Sequence, residues 1–304
     1  MIDNRESVTA KLCSFARAYH SNHERIKIFD DYLAYDLMGR EEYEEIGQLI
    51  EHDYKTELFD PRQDFRSSSI REEMDRYILP IPLSRAAFAE RELLRFAREH
   101  GECQYVICGA GMDTFAFRNE NPDIRVFEID HPDTQRYKLR KIRRLEWNIP
   151  TNVTYVPVDF SKDDMAEELE KADFDPRLPS FFAILGVTYY LTLPVFEETL
   201  RRIGGVAAPG SRLVFDFPDD STFGKGTAER VRTLSDITAA LGEPMRHGYS
   251  SAEVDAALAR QGFLTDAHES PEHIQERYFA GRADGKRAFE NIHFILAEKN
   301  RISA

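Results

Sequence analysis

Residues 104–130, QYVICGAGMDTFAFRNENPDIRVFEID, constrain the fold more than any other stretch of the 304-residue chain. An apolar run from Gln104 to Cys108 opens into Gly109-Ala110-Gly111, and a second run from Arg125 to Ile129 ends on Asp130. Both runs are too short for a helix and are bounded by turn residues, which predicts two buried strands joined through a glycine turn and a helix. Glycines let a backbone approach its ligand closely. A carboxylate at the end of the second strand, about 20 residues on, accepts both hydroxyls of a ribose. The stretch therefore points to a nucleoside cofactor, the competing reading being a glycine pair placed for turn geometry alone.

Two residues bear on which nucleoside. A dinucleotide fingerprint asks for a third glycine three positions after Gly111, where this chain has Thr114. Asp113 lies in the same turn, where a pyrophosphate would face a helix N-terminus. A carboxylate there repels a diphosphate but tolerates the ammonium and sulfonium of S-adenosylmethionine. Charge thus favours a methyl donor over a nicotinamide cofactor.

Composition narrows the classes further. A formal net charge of −14 argues against a nucleic-acid partner. Lys138–Arg144, with five basic residues in seven, is the local exception. Leu139, Ile142 and Leu145 recur through it every three residues, which predicts one buried helix edge beneath a basic, solvated face. No apolar stretch is long enough to span a bilayer, and the first 30 residues carry no run of signal-peptide type, so a cytoplasmic location is expected. Cys13, Cys103 and Cys108 have neither disulfide nor zinc spacing, so no metal is expected.

GAGMDTFAFR followed by VFEIDHP resembles the S-adenosylmethionine-dependent O-methyltransferases that include leucine carboxyl methyltransferase and the tetracenomycin-type polyketide O-methyltransferases. The family pattern is roughly LGAGxDTxxxR and then F-E-x-D-x-P. Gly109, Ala110, Gly111, Asp113, Thr114, Arg118, Phe127, Glu128, Asp130 and Pro132 fall in place. Further matches lie on either side. Phe15-Ala16-Arg17-Ala18 and Ile28–Ala34 resemble A-R-A and F-D-D-P-x-A, with Tyr32 where proline is usual. Gly186–Thr192 resembles the end of E-G-V-T-x-Y-L-T, with Leu185 where the family has glutamate.

The resemblance implies a class I methyltransferase: a Rossmann-like, seven-stranded α/β sheet with an antiparallel last strand, plus a helical cap. Residues 1–83 would form the cap and 84–304 the core, with a polar insertion at about 218–249 serving as a lid. S-adenosyl-L-methionine would lie against Gly109, Ala110, Gly111 and Asp113, its ribose on Asp130 and its adenine at Asp159 and Phe160. A plain N-cap of the next helix is the competing role for Asp159. A basic residue of the cap would reach the methionine carboxylate, and Arg17 is the candidate, against a plain surface charge. Arg85 is assigned the same carboxylate, which suits a guanidinium. It is read in the first turn of a helix that Ser84 N-caps and Gly101 ends, a position unfavourable for a cation, so something else should hold it there. The family glutamate contacts the donor's ammonium, so Leu185 removes one polar anchor. Either Asp113 or a backbone carbonyl near Gly109 then takes its place, or the donor site is weakened.

The remaining expectations are local. Val153–Val158, Ser180–Leu185, Ser211–Phe217, Phe263–Ala267 and Asn291–Ala297 read as the later strands, the last as an antiparallel edge. Ser250 with Glu253 reads as a capping box. Tyr189 and Tyr190 follow the fourth strand and would stand near the transferred methyl, either as hydrogen-bond donors to the acceptor or as packing. His247 is a possible base within the insertion. A small-molecule acceptor offering a carboxylate or an acidic phenol fits the lack of an evident base. Three rivals stay open: a nucleoside-binding relative without catalysis, a nicotinamide oxidoreductase, and a protein C-terminal carboxyl methyltransferase.

Overall fold

The computed structural model describes residues 8–58, 68–160 and 162–300. Seven strands form one sheet: β1 Cys103–Cys108, β2 Ile124–Asp130, β3 Val153–Pro157, β4 Ser180–Ile184, β5 Arg212–Pro218, β6 Phe263–Glu269 and β7 Ile292–Lys299. Their order is β3-β2-β1-β4-β5-β7-β6. The first five run parallel, and β7 lies antiparallel between β5 and β6. The expected α/β sheet with an antiparallel last strand is present, but β7 is not the edge. The edge is β6, whose Leu264 points outward 60% exposed, as a half-solvated strand allows.

Period-two burial explains why the parallel strands read as continuous apolar runs. Tyr105 and Ile107 pack on one face of the sheet with Phe181, Ala183 and Val214, while Val106 and Cys108 pack on the other with Phe182, Ile184 and Phe215. Helices α1 Val8–His23, α2 Ala34–Met38, α3 Arg40–Leu58 and α4 Ser68–Glu73 precede the sheet, and α5 Pro80–His100 leads into it. Leu83 of α5 joins the cluster of Phe15, Met38 and Ile46, whereas Phe88, Leu93 and Phe96 of the same helix join the sheet. One helix thus fastens the N-terminal segment to the core.

Helix α5 begins four residues earlier than its expected cap. Pro80 occupies its first turn, where the missing N–H has no intrahelical partner in any case. Ser84 is consequently interior, its Oγ donating to the Pro80 carbonyl at 2.6 Å, and Arg85 falls in the second turn. Gly101 ends the helix as expected, at φ 73°. The helix after the glycine turn, α6 Phe115–Arg118, is a single turn. It is followed by α7 Pro132–Arg144, α8 Met165–Lys171, α9 Leu193–Val206, α10 Glu229–Ala240, α11 Ser251–Arg260 and α12 Pro271–Ile274. The capping box of Ser250 and Glu253 on α11 forms as expected.

Helix α7 corrects the expected basic, solvated face. Ile142 is buried, with Leu139 and Leu145 packed beside it, but so is Lys138, whose ammonium lies 2.5 Å from Glu128 of β2. Lys141 pairs with Glu42 of α3 at 2.5 Å. Long side chains on the inner edge of a helix find partners there, which the three-residue spacing of Leu139, Ile142 and Leu145 does not reveal.

His20 supplies a pH-dependent element of stability. It is buried on α1, and its Nε2 accepts from the Ile28 N–H at 2.8 Å. Burial pushes the imidazole down to about 4, with the Lys286 charge acting in the same sense and Glu24 opposing. Folding therefore favours neutral His20, while the unfolded chain takes up a proton below about 6.5. Its stabilisation is complete above that pH and is lost as pH falls toward 4. Urea unfolding at pH 7 and pH 5 is expected to differ by about 2 kcal/mol from this residue, and His20→Gln, which can still accept from Ile28, should shrink the difference by that amount.

Candidate active site

The carboxyl ends of β1, β2, β4 and β5 bring most of the sequence-predicted residues together. At the end of β1 the chain turns through Gly109 at φ +78° and Gly111 at φ +51°, left-handed geometry that glycine adopts without strain. The N–H groups of Gly109 and Ala110 both donate to the Ile129 carbonyl, at 2.8 and 3.1 Å. Asp130, one residue on, accepts from the Gly111 N–H at 2.5 Å through one oxygen and from the His131 N–H at 2.7 Å through the other. Burial pushes its carboxyl up, and these two bonds oppose the shift. Each oxygen retains lone-pair capacity, so a turn-fixed carboxylate stands beside the glycines.

Asp113 has a local role: its Oδ1 accepts from the Phe115 N–H at 2.7 Å and starts the one-turn helix α6. The motif residues after it form a latch. The Thr114 hydroxyl donates to Asp31, a fully buried carboxylate of the N-terminal segment. Arg118 donates to Thr114 Oγ1 at 2.8 Å and pairs with both Asp31, at 3.4 Å, and Glu90 of α5. Asp31 also holds Arg17, whose Nε donates to it at 2.8 Å while Nη2 donates to the Met112 carbonyl at 2.9 Å. Arg17 is therefore no surface charge but spans from α1 to the glycine turn. The sequence reading missed Asp31 as its partner, although the second aspartate of F-D-D was in view.

Arg85 is the second cation, and what holds it is Asp216 at the end of β5, 3.2 Å from Nη1. Its Nη2 donates to Cys13 Sγ of α1 at 3.3 Å. Asp216 is wholly buried and also accepts from the Gly186 N–H at 2.7 Å and the Tyr189 hydroxyl at 2.8 Å. Nothing in the spacing marked Asp216, because in sequence it is only a polar residue within an apolar strand. Gly186 has φ +70°, and a Cβ there would lie 2.5–2.7 Å from the Arg85 guanidinium. Helix α1 lies over this end of the sheet, its Ala10 methyl 3.9 Å from where a Gly111 Cβ would stand.

The other expected residues sort as follows. Leu185 packs, half-buried, against the sheet cluster and presents no polar atom. Tyr189 is buried with its hydroxyl committed to Asp216, whereas Tyr190 is half-buried and burial pushes its hydroxyl up to about 12, so it stays protonated. Asp159 follows β3 and pairs with Lys162 at 2.8 Å, its carboxylate 3.9 Å from His131 Nε2. It does not N-cap the next helix. Asp164 does that, accepting from Ala166 and Glu167 N–H at 2.8 and 3.3 Å. Phe160 packs half-buried beside it, and its carbonyl accepts from Arg202 at 3.2 Å. His247 is not a free loop imidazole, since its ring packs edge-on to Tyr249 with centroids 4.7 Å apart.

Residues 10–204, which carry the glycine turn, both arginines and the Tyr189-Tyr190 pair, match the leucine carboxyl methyltransferase family. The chain belongs to that family. Among family relatives, YktD of Bacillus subtilis strain 168, named for S-adenosyl-L-methionine-dependent methyl transfer, is 35% identical over 98% of this chain and 100% of its own length. Rv0830 of Mycobacterium tuberculosis H37Rv, named for the same chemistry, is 32% identical over 56% of this chain and 58% of its own. Two solved structures share the fold. A DUF574-family protein of Streptomyces avermitilis MA-4680 has a TM-score of 0.55 at 16% identity, covering 83% of this chain and 96% of that one. A protein of Thermobifida fusca YX assigned to the methyltransferases scores 0.51 at 17% identity, covering 78% and 88%. Within the family pattern, this chain's DTxxxR segment is explained by the Thr114–Arg118–Asp31 latch, and F-E-x-D by the buried Glu128–Lys138 pair and the turn-fixed Asp130.

No helix among the described residues is long and apolar enough to cross a membrane. Nor do the described residues contain a cluster of three or more histidine, cysteine or carboxylate side chains suited to a metal ion.

Proposed function

We propose that this protein moves the methyl group of S-adenosyl-L-methionine onto an oxygen, carboxylate or phenolic, of a small molecule. The methyl donor follows from family membership; the oxygen and the small acceptor are our reading. One observation carries it: a turn-fixed carboxylate, Asp130, stands beside a glycine turn whose Gly109 is exposed, with the guanidinium groups of Arg17 and Arg85 at the same end of the sheet.

The residues present fit such a donor. Asp130 would take the ribose hydroxyls on its remaining lone pairs, and the backbone of Gly109, Ala110 and Gly111 would lie against the donor, with Asp113 in the same turn. Asp159 and the backbone of Phe160 would hold the adenine, while Arg17 and Arg85 would meet the carboxylate of the methionine portion. Leu185 would contribute apolar contact where the family has an anion. Bound there, S-adenosylmethionine supplies a sulfonium methyl group open to in-line displacement. The chain's part is to align that methyl with the acceptor and to exclude water, and alignment of this kind contributes about 7–11 kcal/mol in well-oriented cases. The N-terminal segment, residues 1–83, and the insertion at 218–249 would enclose the acceptor over the 84–304 core.

The acceptor's chemistry is narrowed by Tyr190. With its hydroxyl pushed up to about 12 it can donate a hydrogen bond but not remove a proton. Tyr189, tied to Asp216, orients that group instead. An acceptor ionised at neutral pH needs no base, which describes a carboxylic acid or an acidic phenol. The test is transfer of labelled methyl from S-adenosylmethionine to a panel of aromatic and aliphatic acids, phenols, amines and thiols. Oxygen transfer predicts label only in acid or phenol products, and base lability separates esters from ethers. Label confined to amines or thiols would overturn the reading.

A further inference from the structure

The donor's amino-acid end is a zwitterion, and the resemblance implies a glutamate for its ammonium at the position where this chain has Leu185. A substitution of this kind leaves a cation without its counter-charge unless another carboxylate is at hand. One lies on the neighbouring strand. Asp216 of β5 bonds the N–H of Gly186, the residue after Leu185, at 2.7 Å. Its other oxygen faces Arg85 at 3.2 Å and the Tyr189 hydroxyl at 2.8 Å. The contact to Arg85 is through one nitrogen rather than a parallel fork, and the guanidinium's other arm rests on a cysteine sulfur at 3.3 Å, a weak acceptor. The pair thus has the charges of an amino acid in reverse, anion beside cation, joined through one nitrogen.

Resting on the donor reading above, we propose that Asp216 supplies the carboxylate for the donor's ammonium group in place of the missing glutamate. In the same exchange Arg85 turns from Asp216 to the donor's carboxylate. Asp216 is then a specificity residue for the amino-acid end of the donor, and Tyr189 and Gly186 are the groups that hold it in position. Two charges buried against each other are replaced by two charge pairs, so neither Asp216 nor Arg85 is left uncompensated. The pairing also explains how a family member can lack the glutamate without losing its donor.

The test pairs changes in the ligand with changes in the protein and reads binding by calorimetry, independent of turnover. Wild-type protein is titrated with S-adenosylhomocysteine and with its analogue lacking the amino group. Asp216→Asn and Asp216→Asn/Leu185→Glu are treated alike, with melting curves recorded for each. The expected result is a loss of roughly tenfold or more, about 1.4 kcal/mol, when wild type meets the deaminated ligand. Asp216→Asn should show little or no such discrimination, and Leu185→Glu should restore it. Equal loss of the amino group's contribution in wild type and Asp216→Asn would overturn the proposal. Should Asp216→Asn not fold, wild type and Leu185→Glu decide together: equal affinity of wild type for both ligands, or a tenfold or greater gain in discrimination, about 1.4 kcal/mol, on adding Leu185→Glu to wild type, overturns the proposal. Failure of wild type to bind S-adenosylhomocysteine at all would instead overturn the donor reading beneath it.

Discussion

Lys138→Met is expected to lower the unfolding free energy by about 3 kcal/mol or more, read from urea denaturation at pH 8. Lys138 and Glu128 are both 1% exposed and 2.5 Å apart, so neither charge has water to fall back on. Burial pushes the Glu128 carboxyl up to about 7 even with the ammonium beside it, which opposes the shift. Without Lys138 the carboxyl rises further, and folding then requires Glu128 to take up a proton. A carboxyl whose folded-state value lies above its unfolded one loses stability as pH rises. The penalty of Lys138→Met should therefore be smaller at pH 5 than at pH 8. Glu128→Gln/Lys138→Met should recover part of it at pH 8, because no unpaired charge remains. Equal penalties at both pH values would contradict this account of the pair.

The second large effect is expected from Gly186→Ala. The new methyl would stand 2.5–2.7 Å from three guanidinium atoms of Arg85. Relief by moving the arginine breaks its contact with Asp216, and relief by moving the backbone takes residue 186 out of its φ of +70°. Left-handed geometry alone costs an alanine about 1–2 kcal/mol. We expect a drop in stability of that order together with roughly tenfold or greater weakening of S-adenosylhomocysteine binding, ~1.4 kcal/mol. Gly285→Ala is the control, since it combines φ +76° with open space around the missing Cβ. A Gly186→Ala protein that binds the donor product as wild type does would contradict the expected displacement of Arg85.

These residues also show what was legible in the sequence and what was not. Strands β1, β2, β4 and β5 announced themselves because parallel strands buried on both faces are short apolar runs, and Gly109 and Gly111 because left-handed turns demand glycine. Asp130 followed from its distance to those glycines. Asp31 and Asp216 escaped notice because the contacts that tie them to the site span 14 residues to Arg17 and 83 to Thr114 for Asp31, and 131 to Arg85 for Asp216, and no local pattern encodes such pairings. Lys138 was misjudged for a related reason: a basic run on an amphipathic helix looks solvated until a buried carboxylate on the adjoining strand is known. The early start of α5 and the interior place of β7 reflect tertiary packing. Pro80 starts a helix because the cap cluster holds that turn, and β7 is covered because it returns to insert between β5 and β6.

Calorimetric titration with S-adenosylmethionine and S-adenosylhomocysteine tests the central claim, with wild type, Asp130→Ala and Arg85→Ala measured side by side. Both variants are to be checked by melting curves, since Asp130→Ala also strips the Gly111 and His131 N–H groups of their acceptor. The account predicts binding of wild type in the micromolar range, roughly −8 kcal/mol, and weakening by tenfold or more in each folded variant. Folded wild-type protein that binds neither nucleoside, or variants that bind both as tightly as wild type, would contradict it.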